Sequence, residues 1–200
     1  MIGRSVVVAV LAGAAAFDLG SAGPSAASRS AAAAAVKPPG IVTATRITRR
    51  PGTLAPGSRV RPAEIAGQRV FTDATHGFAL ASVIGADYPV ATTDGGRTWK
   101  TGGPALHLNA AQAPLAVVST GAVNRRTVFA WGGGQVIDAT GNAGRTWYSA
   151  LFTDGTPVAV VPDLRGHLLA FIGSPSGGNV WRYVSTDSGR TWHYQPSAGR

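Results

Sequence analysis

Thr92-Thr93-Asp94-Gly95-Gly96-Arg97-Thr98-Trp99 is written three times in this 200-residue chain, with small changes. The second copy is Thr140-Gly141-Asn142-Ala143-Gly144-Arg145-Thr146-Trp147. The third is Ser185-Thr186-Asp187-Ser188-Gly189-Arg190-Thr191-Trp192. The aligned Asp94, Asn142 and Asp187 lie 48 and then 45 residues apart. A period of roughly 45 residues with one Trp-bearing turn per repeat marks a four-stranded propeller blade.

Each copy is a turn that hands over to a strand. A hydroxyl residue opens it (Thr92, Thr140, Ser185), and Asp94, Asn142 or Asp187 follows. Asp and Asn accept from nearby backbone N–H groups and so hold a turn. Gly96, Gly144 and Gly189 supply a positive φ without a Cβ penalty. Thr98, Thr146 and Thr191 then restart a strand, and Trp99, Trp147 and Trp192 anchor it. Asn142 can make the local bonds of an Asp, so the middle turn is expected to survive its departure from the pattern.

The pattern S/T-x-D-x-G-x-T-W resembles the Asp-box of the BNR (bacterial neuraminidase) repeat. Such boxes occur in sialidases, in sortilin-type receptors, in some glycan hydrolases and in photosystem assembly factors of the BNR-like group. The stretch Phe71-Thr72-Asp73-Ala74-Thr75-His76-Gly77-Phe78-Ala79 before the first box looks most like that last group, and Val161-Pro162-Asp163-Leu164-Arg165-Gly166-His167 echoes it. The resemblance runs from Ala66 to Tyr194. It implies a scaffold role for the box, between the outer strands of a blade and away from the central binding face. A protein partner is what the assembly-factor likeness implies.

The rest of the chain divides by composition. Residues 1–27 read as a secretory signal peptide: a basic start at Arg4, an apolar run from Val6 to Phe17, and small residues with cleavage near Ala22 or Ala27. The run is too short to span a bilayer as a mature helix. Residues 28–62 read as a flexible linker rich in Ala, Pro, Ser and Arg. Residues 63–200 hold the repeats, divided near 63–104, 105–150 and 151–200. Cysteine is absent, which excludes a disulfide framework and a lipid-anchored lipoprotein. The net charge is +9, with sixteen Arg against two Lys. A basic exported chain is drawn to acidic polymers, such as envelope glycans or phosphates. No recognition motif points to nucleic acid.

Short apolar runs fill the intervals between turns, among them Gly77 to Ile84, Tyr88 to Thr92, Leu115 to Ser119, Val128 to Trp131, Leu168 to Ile172 and Val180 to Ser185. The expectation is an all-β domain of about three propeller-type blades, each of four antiparallel strands. Gly132-Gly133-Gly134 and Gly177-Gly178-Asn179 are expected to join second and third strands. A closed propeller has about 4–8 blades, so about three is a partial ring. The ring is completed by blades beyond Arg200, or by a second copy in a dimer, or a sheet edge is left open. Ile41 to Ile47 could add one closing strand.

Catalytic chemistry finds few candidates. A sialidase needs a Tyr nucleophile, an acidic partner for it and three Arg around the substrate carboxylate. Glu64 is the sole Glu and precedes the first blade; the available tyrosines are Tyr88, Tyr148, Tyr183 and Tyr194. Asp73, Asp87, Asp138, Asp154 and Asp163 fit turn and strand-end roles. His76, His107, His167 and His193 are dispersed without metal-ligand spacing. No cofactor or metal is implied. Trp131, Trp181 and Tyr183 are the candidates for stacking on a sugar. The sequence therefore reads as an exported, non-catalytic binding or assembly scaffold of the cell envelope or beyond it. The alternative is a degenerate or incomplete sialidase-like glycoside hydrolase.

Overall fold

The computed structural model describes residues 40–83, 85–108, 119–175 and 177–196. The expected signal peptide, the stretch 28–39 and the strand expected to begin at Leu115 (as far as residue 118) lie outside the described residues. The described residues belong to one compact unit, Val36–Arg200. They form an all-β structure of three antiparallel sheets, none of them closed. No helix among them is long and apolar enough to cross a membrane.

Each sheet is a meander of four consecutive strands. The first contains β4 (Ile65–Phe71), β5 (Gly77–Val83), β6 (Ala86–Thr92) and β7 (Trp99–Thr101). The second contains β8 (Ser119–Ala122), β9 (Val128–Trp131), β10 (Val136–Thr140) and β11 (Tyr148–Leu151). The third contains β12 (Thr156–Pro162), β13 (Leu168–Gly173), β14 (Val180–Ser185) and β15 (Thr191–Gln195). The box turn joins the third and fourth strands each time, and the two Gly-rich loops join second to third, as expected. The register repeats as well: Gly77 faces Thr92, Val128 faces Thr140, and Leu168 faces Ser185.

Four strands per sheet is one too few. A fifth strand covers the outer edge of every sheet, and all three come from the stretch expected to be a flexible linker. β1 (Ile41–Thr43) pairs with β15, β2 (Thr45–Arg46) with β11, and β3 (Arg59–Val60) with β7. One residue, Ala44, separates β1 from β2, and its N–H donates to Arg190 O at 2.8 Å. Ile47 N donates to Trp147 O at 2.9 Å. Residues 40–60 are thus a strap that visits the third, second and first sheets in turn. The physical reason is edge chemistry. An outer strand exposes a row of N–H and C=O groups that any extended backbone can satisfy, whatever its composition. Val42, Ile47 and Val60 supply buried side chains to it.

Alternation decides what lies between the sheets. Phe78 and Leu80 of the first sheet meet Val128, Ala130 and Trp147 of the second, together with Ile47, Leu106 and Leu108. Phe129, Ile137, Ala139 and Ala150 on the second sheet's opposite face meet Leu168, Ala170, Ile172, Trp181, Tyr183 and Trp192 of the third. Each box Trp in these two layers therefore points back at the preceding sheet. Trp99 lies on the equivalent face of the first sheet, clustered with Val60, Ala79, Ala81 and Val90.

Candidate functional site

The three box turns form one end of their sheets together with the turns that join first to second strands. In the first box the Thr92 hydroxyl accepts from Gly96 N at 2.9 Å and donates to Asp94 Oδ1 at 2.7 Å. Asp94 also accepts from Thr98 N at 2.9 Å and from the Thr98 hydroxyl at 2.6 Å. The third box repeats this with Ser185, Asp187, Gly189 and Thr191, at 2.5–2.9 Å. The Thr98 hydroxyl, with backbone N–H groups, holds the Asp94 carboxyl well below the usual carboxylate range. For Asp187, desolvation opposes this, but the Thr191 hydroxyl and N–H bonds prevail and the net shift is downward.

The backbone departs from expectation at one place. Two consecutive residues, not one, take positive φ: Gly95 (73°) and Gly96 (90°), Ala143 (59°) and Gly144 (85°), Ser188 (61°) and Gly189 (88°). Ala143 and Ser188 pay a steric cost there that Gly95 does not. The second position must be Gly in two copies for tertiary reasons. A Cβ on Gly144 would lie 2.0 Å from Gly102 O, and one on Gly189 would lie 2.5 Å from the Ala139 Cβ.

The partner turns carry a second set of side-chain caps. Asp73 Oδ1 accepts from Thr75 N and His76 N at 2.9 and 3.0 Å and meets His76 Nδ1 at 3.0 Å. Asp163 does the same for Arg165 N and His167 N at 2.8 Å, with His167 Nδ1 at 3.0 Å. His76 is therefore a turn residue. The His76 ring and the Thr75 groups hold Asp73 ionised far below its ordinary range.

The middle repeat keeps the bonds and drops the charge at both turns. Asn142 Oδ1 accepts from Thr146 N at 2.9 Å and from the Thr140 hydroxyl at 3.0 Å. Asn124 Oδ1, at the position of Asp73, accepts from Arg126 N and Thr127 N at 2.8 and 2.9 Å; Asp163 caps the third repeat's turn from one residue earlier, with Leu164 at the position of Asp73. An amide has one acceptor oxygen, so Asn142 leaves the Thr146 hydroxyl without the bond that Thr98 and Thr191 make. Arg126, Gly141, Asn142, Ala143 and Arg145 line a cleft of about 190 Å³ at this point. Arg125 is committed elsewhere, its Nε 2.9 Å from Asp73 Oδ2. Among the described residues neither Arg126 nor Arg145 forms an ion pair.

The proposed sugar-stacking residues lie elsewhere, and two of them are corrected. Trp181 and Tyr183 are core residues, 7% and 1% exposed, facing the second sheet. Their alternation along β14 was visible in the sequence, but not which face of the sheet would be covered. Burial, then the Asp154 carboxylate and Tyr194, push the Tyr183 phenol up to about 12. Trp131 is half-buried and stacks on Phe129, with centroids 5.9 Å apart. Glu64 is tied to Arg61, accepting from its backbone N–H at 2.8 Å and its guanidinium at 2.6 Å. Among the described residues no three His, Asp or Glu side chains come together as metal ligands.

The residue that sequence reasoning placed wrongly is Asp138. It sits mid-strand in β10, facing the first sheet, at the repeat position of Val90 and Tyr183, and it is fully buried. Its Oδ2 accepts from His107 N at 2.6 Å, and the Ser149 hydroxyl bonds to the same carboxyl. Oδ1 is buried with no hydrogen-bond partner. Burial pushes this carboxyl up to about 6. Aligning the repeats would have exposed it, since both equivalents are large core residues.

The sequence matches no protein-family model, and no curated protein and no solved structure matches it.

Proposed function

We propose that this chain is an exported, non-catalytic binding and assembly scaffold, built of propeller-type blades with Asp-box turns of the BNR kind. It works at the cell envelope or outside the cell, on a protein partner or an acidic envelope polymer. The observation that carries this reading is the repetition of contact as well as of sequence. The three sheets share one strand register around the box, and Trp147 and Trp192 each pack against the sheet before them. Trp147 goes further, its Nε1 donating to Gly102 O of the first sheet's chain at 3.1 Å. Successive sheets joined in this way are what blades around an axis require.

Chemistry is disfavoured by what six of the carboxylates are doing. Asp73, Asp94, Asp163 and Asp187 are occupied as acceptors within their own turns. Asp138 is sealed between sheets, and Glu64 is bound to Arg61. The test uses the purified chain. It should sediment with envelope fragments in a saturable manner and leave a fluorogenic sialoside intact. Turnover of the sialoside overturns the reading, as does sedimentation no greater than that of a control protein of equal charge.

A further inference from the structure

We propose that the cleft between Arg126 and Arg145 binds a tetrahedral oxyanion, the phosphate or sulfate group of an acidic polymer. Two substitutions coincide in the middle repeat. In the first and third repeats an acid caps both turns, Asp73 with Asp94 and, from one residue earlier in its turn, Asp163 with Asp187. The middle repeat holds an amide at both, Asn124 and Asn142. Either amide preserves the turn, because its oxygen accepts the same backbone N–H groups. Neither is needed for folding, because acids build the same turns on both sides. What the pair of changes accomplishes is electrostatic. It removes two negative charges from one end of one sheet and leaves two guanidinium groups around one cleft.

The chemistry of the lining sets the ligand class. Two guanidinium groups offer N–H donors in planar forks, which suit the several oxygens of a phosphate or sulfate. The side-chain amide N–H groups of Asn142 add donors where an Asp would repel. The cleft has about 190 Å³, ample for one such group. Arg125 leans the other way, onto Asp73, so the site is specific to Arg126 and Arg145. The backbone N–H groups of Ala143 and Gly144 do not contribute, because Arg126 O and the Thr140 hydroxyl already hold them at 2.9 and 3.1 Å. The inference rests on the scaffold reading for its biological use alone. The site itself is tested with inorganic ions, so its failure leaves the scaffold reading standing.

The full-length ¹⁵N-labelled chain is titrated with phosphate, with sulfate and with acetate at low ionic strength. The amides of residues 141–146 and the Arg side-chain Nε–H signals report binding. Phosphate or sulfate should shift the signals of Arg126 and Arg145 first, and the stronger of the two arms names the source of the group. N124D/N142D should weaken binding at least roughly tenfold, as should R126Q/R145Q. The N124D/N142D protein should keep its thermal midpoint, since Asp73 caps the equivalent turn of the first repeat and Asp94 and Asp187 cap the equivalent boxes. Undiminished binding by N124D/N142D overturns the proposal. So does acetate binding as tight as phosphate, or a response spread evenly over all arginines.

Discussion

Replacing Asp138 with Asn should stabilise the protein, and should do so more at neutral pH than in acid. Asp138 is fully buried with no cation against it, and its Oδ1 has no partner. Its carboxyl titrates near 6 in the folded protein, against an ordinary 3.8. The sign follows from proton counting. Between these two values the native state holds a proton that the unfolded chain has released, so stability falls as pH rises. At pH 7.5 the ionised carboxyl costs about 3 kcal/mol, and at pH 4.5 about 1 kcal/mol. Asn keeps an oxygen for the His107 N–H and carries no charge. The stability gap between D138N and the parent should therefore widen by about 2 kcal/mol from pH 4.5 to pH 7.5. Urea unfolding followed by tryptophan fluorescence at four pH values in this range measures it. Taking the gap cancels other titrations. His107, lowered by burial and then by Arg50, works in the opposite sense in this window but in both proteins. The lowered carboxylates Asp73, Asp94, Asp163 and Asp187 lose their contributions only below the ordinary carboxylate range, again in both. A gap that stays constant with pH, or narrows as pH rises, refutes the reasoning.

Three further outcomes test the packing. Gly96→Ala and Gly144→Ala meet the same positive φ, so each should lose about 1–2 kcal/mol to backbone strain. Gly144→Ala should lose clearly more, because its Cβ would collide with Gly102 O, whereas the nearest atom at Gly96 is the Phe71 Cζ at 3.4 Å; equal losses by denaturant titration would refute the backbone contact. Trp192→Ala should cost about 3–5 kcal/mol, since the ring is wholly buried and its Nε1 donates to Gly189 O at 3.1 Å; a smaller loss in thermal or urea unfolding would mean that the third sheet is not locked to the second. A chain beginning at Thr48 lacks β1 and β2 and bares the outer edges of β15 and β11. It should self-associate on a sizing column at concentrations where the parent elutes cleanly; an unchanged profile would show that the strap does not protect those edges.

The box turns were legible because their bonds are local. Thr92 to Gly96 and Asp94 to Thr98 span four residues, so residue type and spacing suffice to specify them. The Asp–His turns at Asp73 and Asp163 were legible for the same reason. The cleft was half legible. Asn142 departs visibly from the box pattern, but Asn124 shares no motif with Asp73 beyond its position, and only the strand register aligns the two.

What the sequence determined by itself is a set of hairpins: which turn closes each one, and that a Trp stands at or beside the start of the next strand. Which face of a strand is covered, and which edge is paired, were settled in three dimensions. Trp181 and Tyr183 read as candidates for stacking on a sugar and are core, and Asp138 read as a strand end and is buried. Residues 40–60 read as linker with at most one closing strand, at Ile41 to Ile47, and hold three sheet edges. The common reason is that pairing along an edge uses backbone groups every residue has, and burial depends on neighbours distant in the chain, as Phe152 is from Tyr183 and His107 from Asp138. Neither leaves a mark in composition or spacing near the residue concerned.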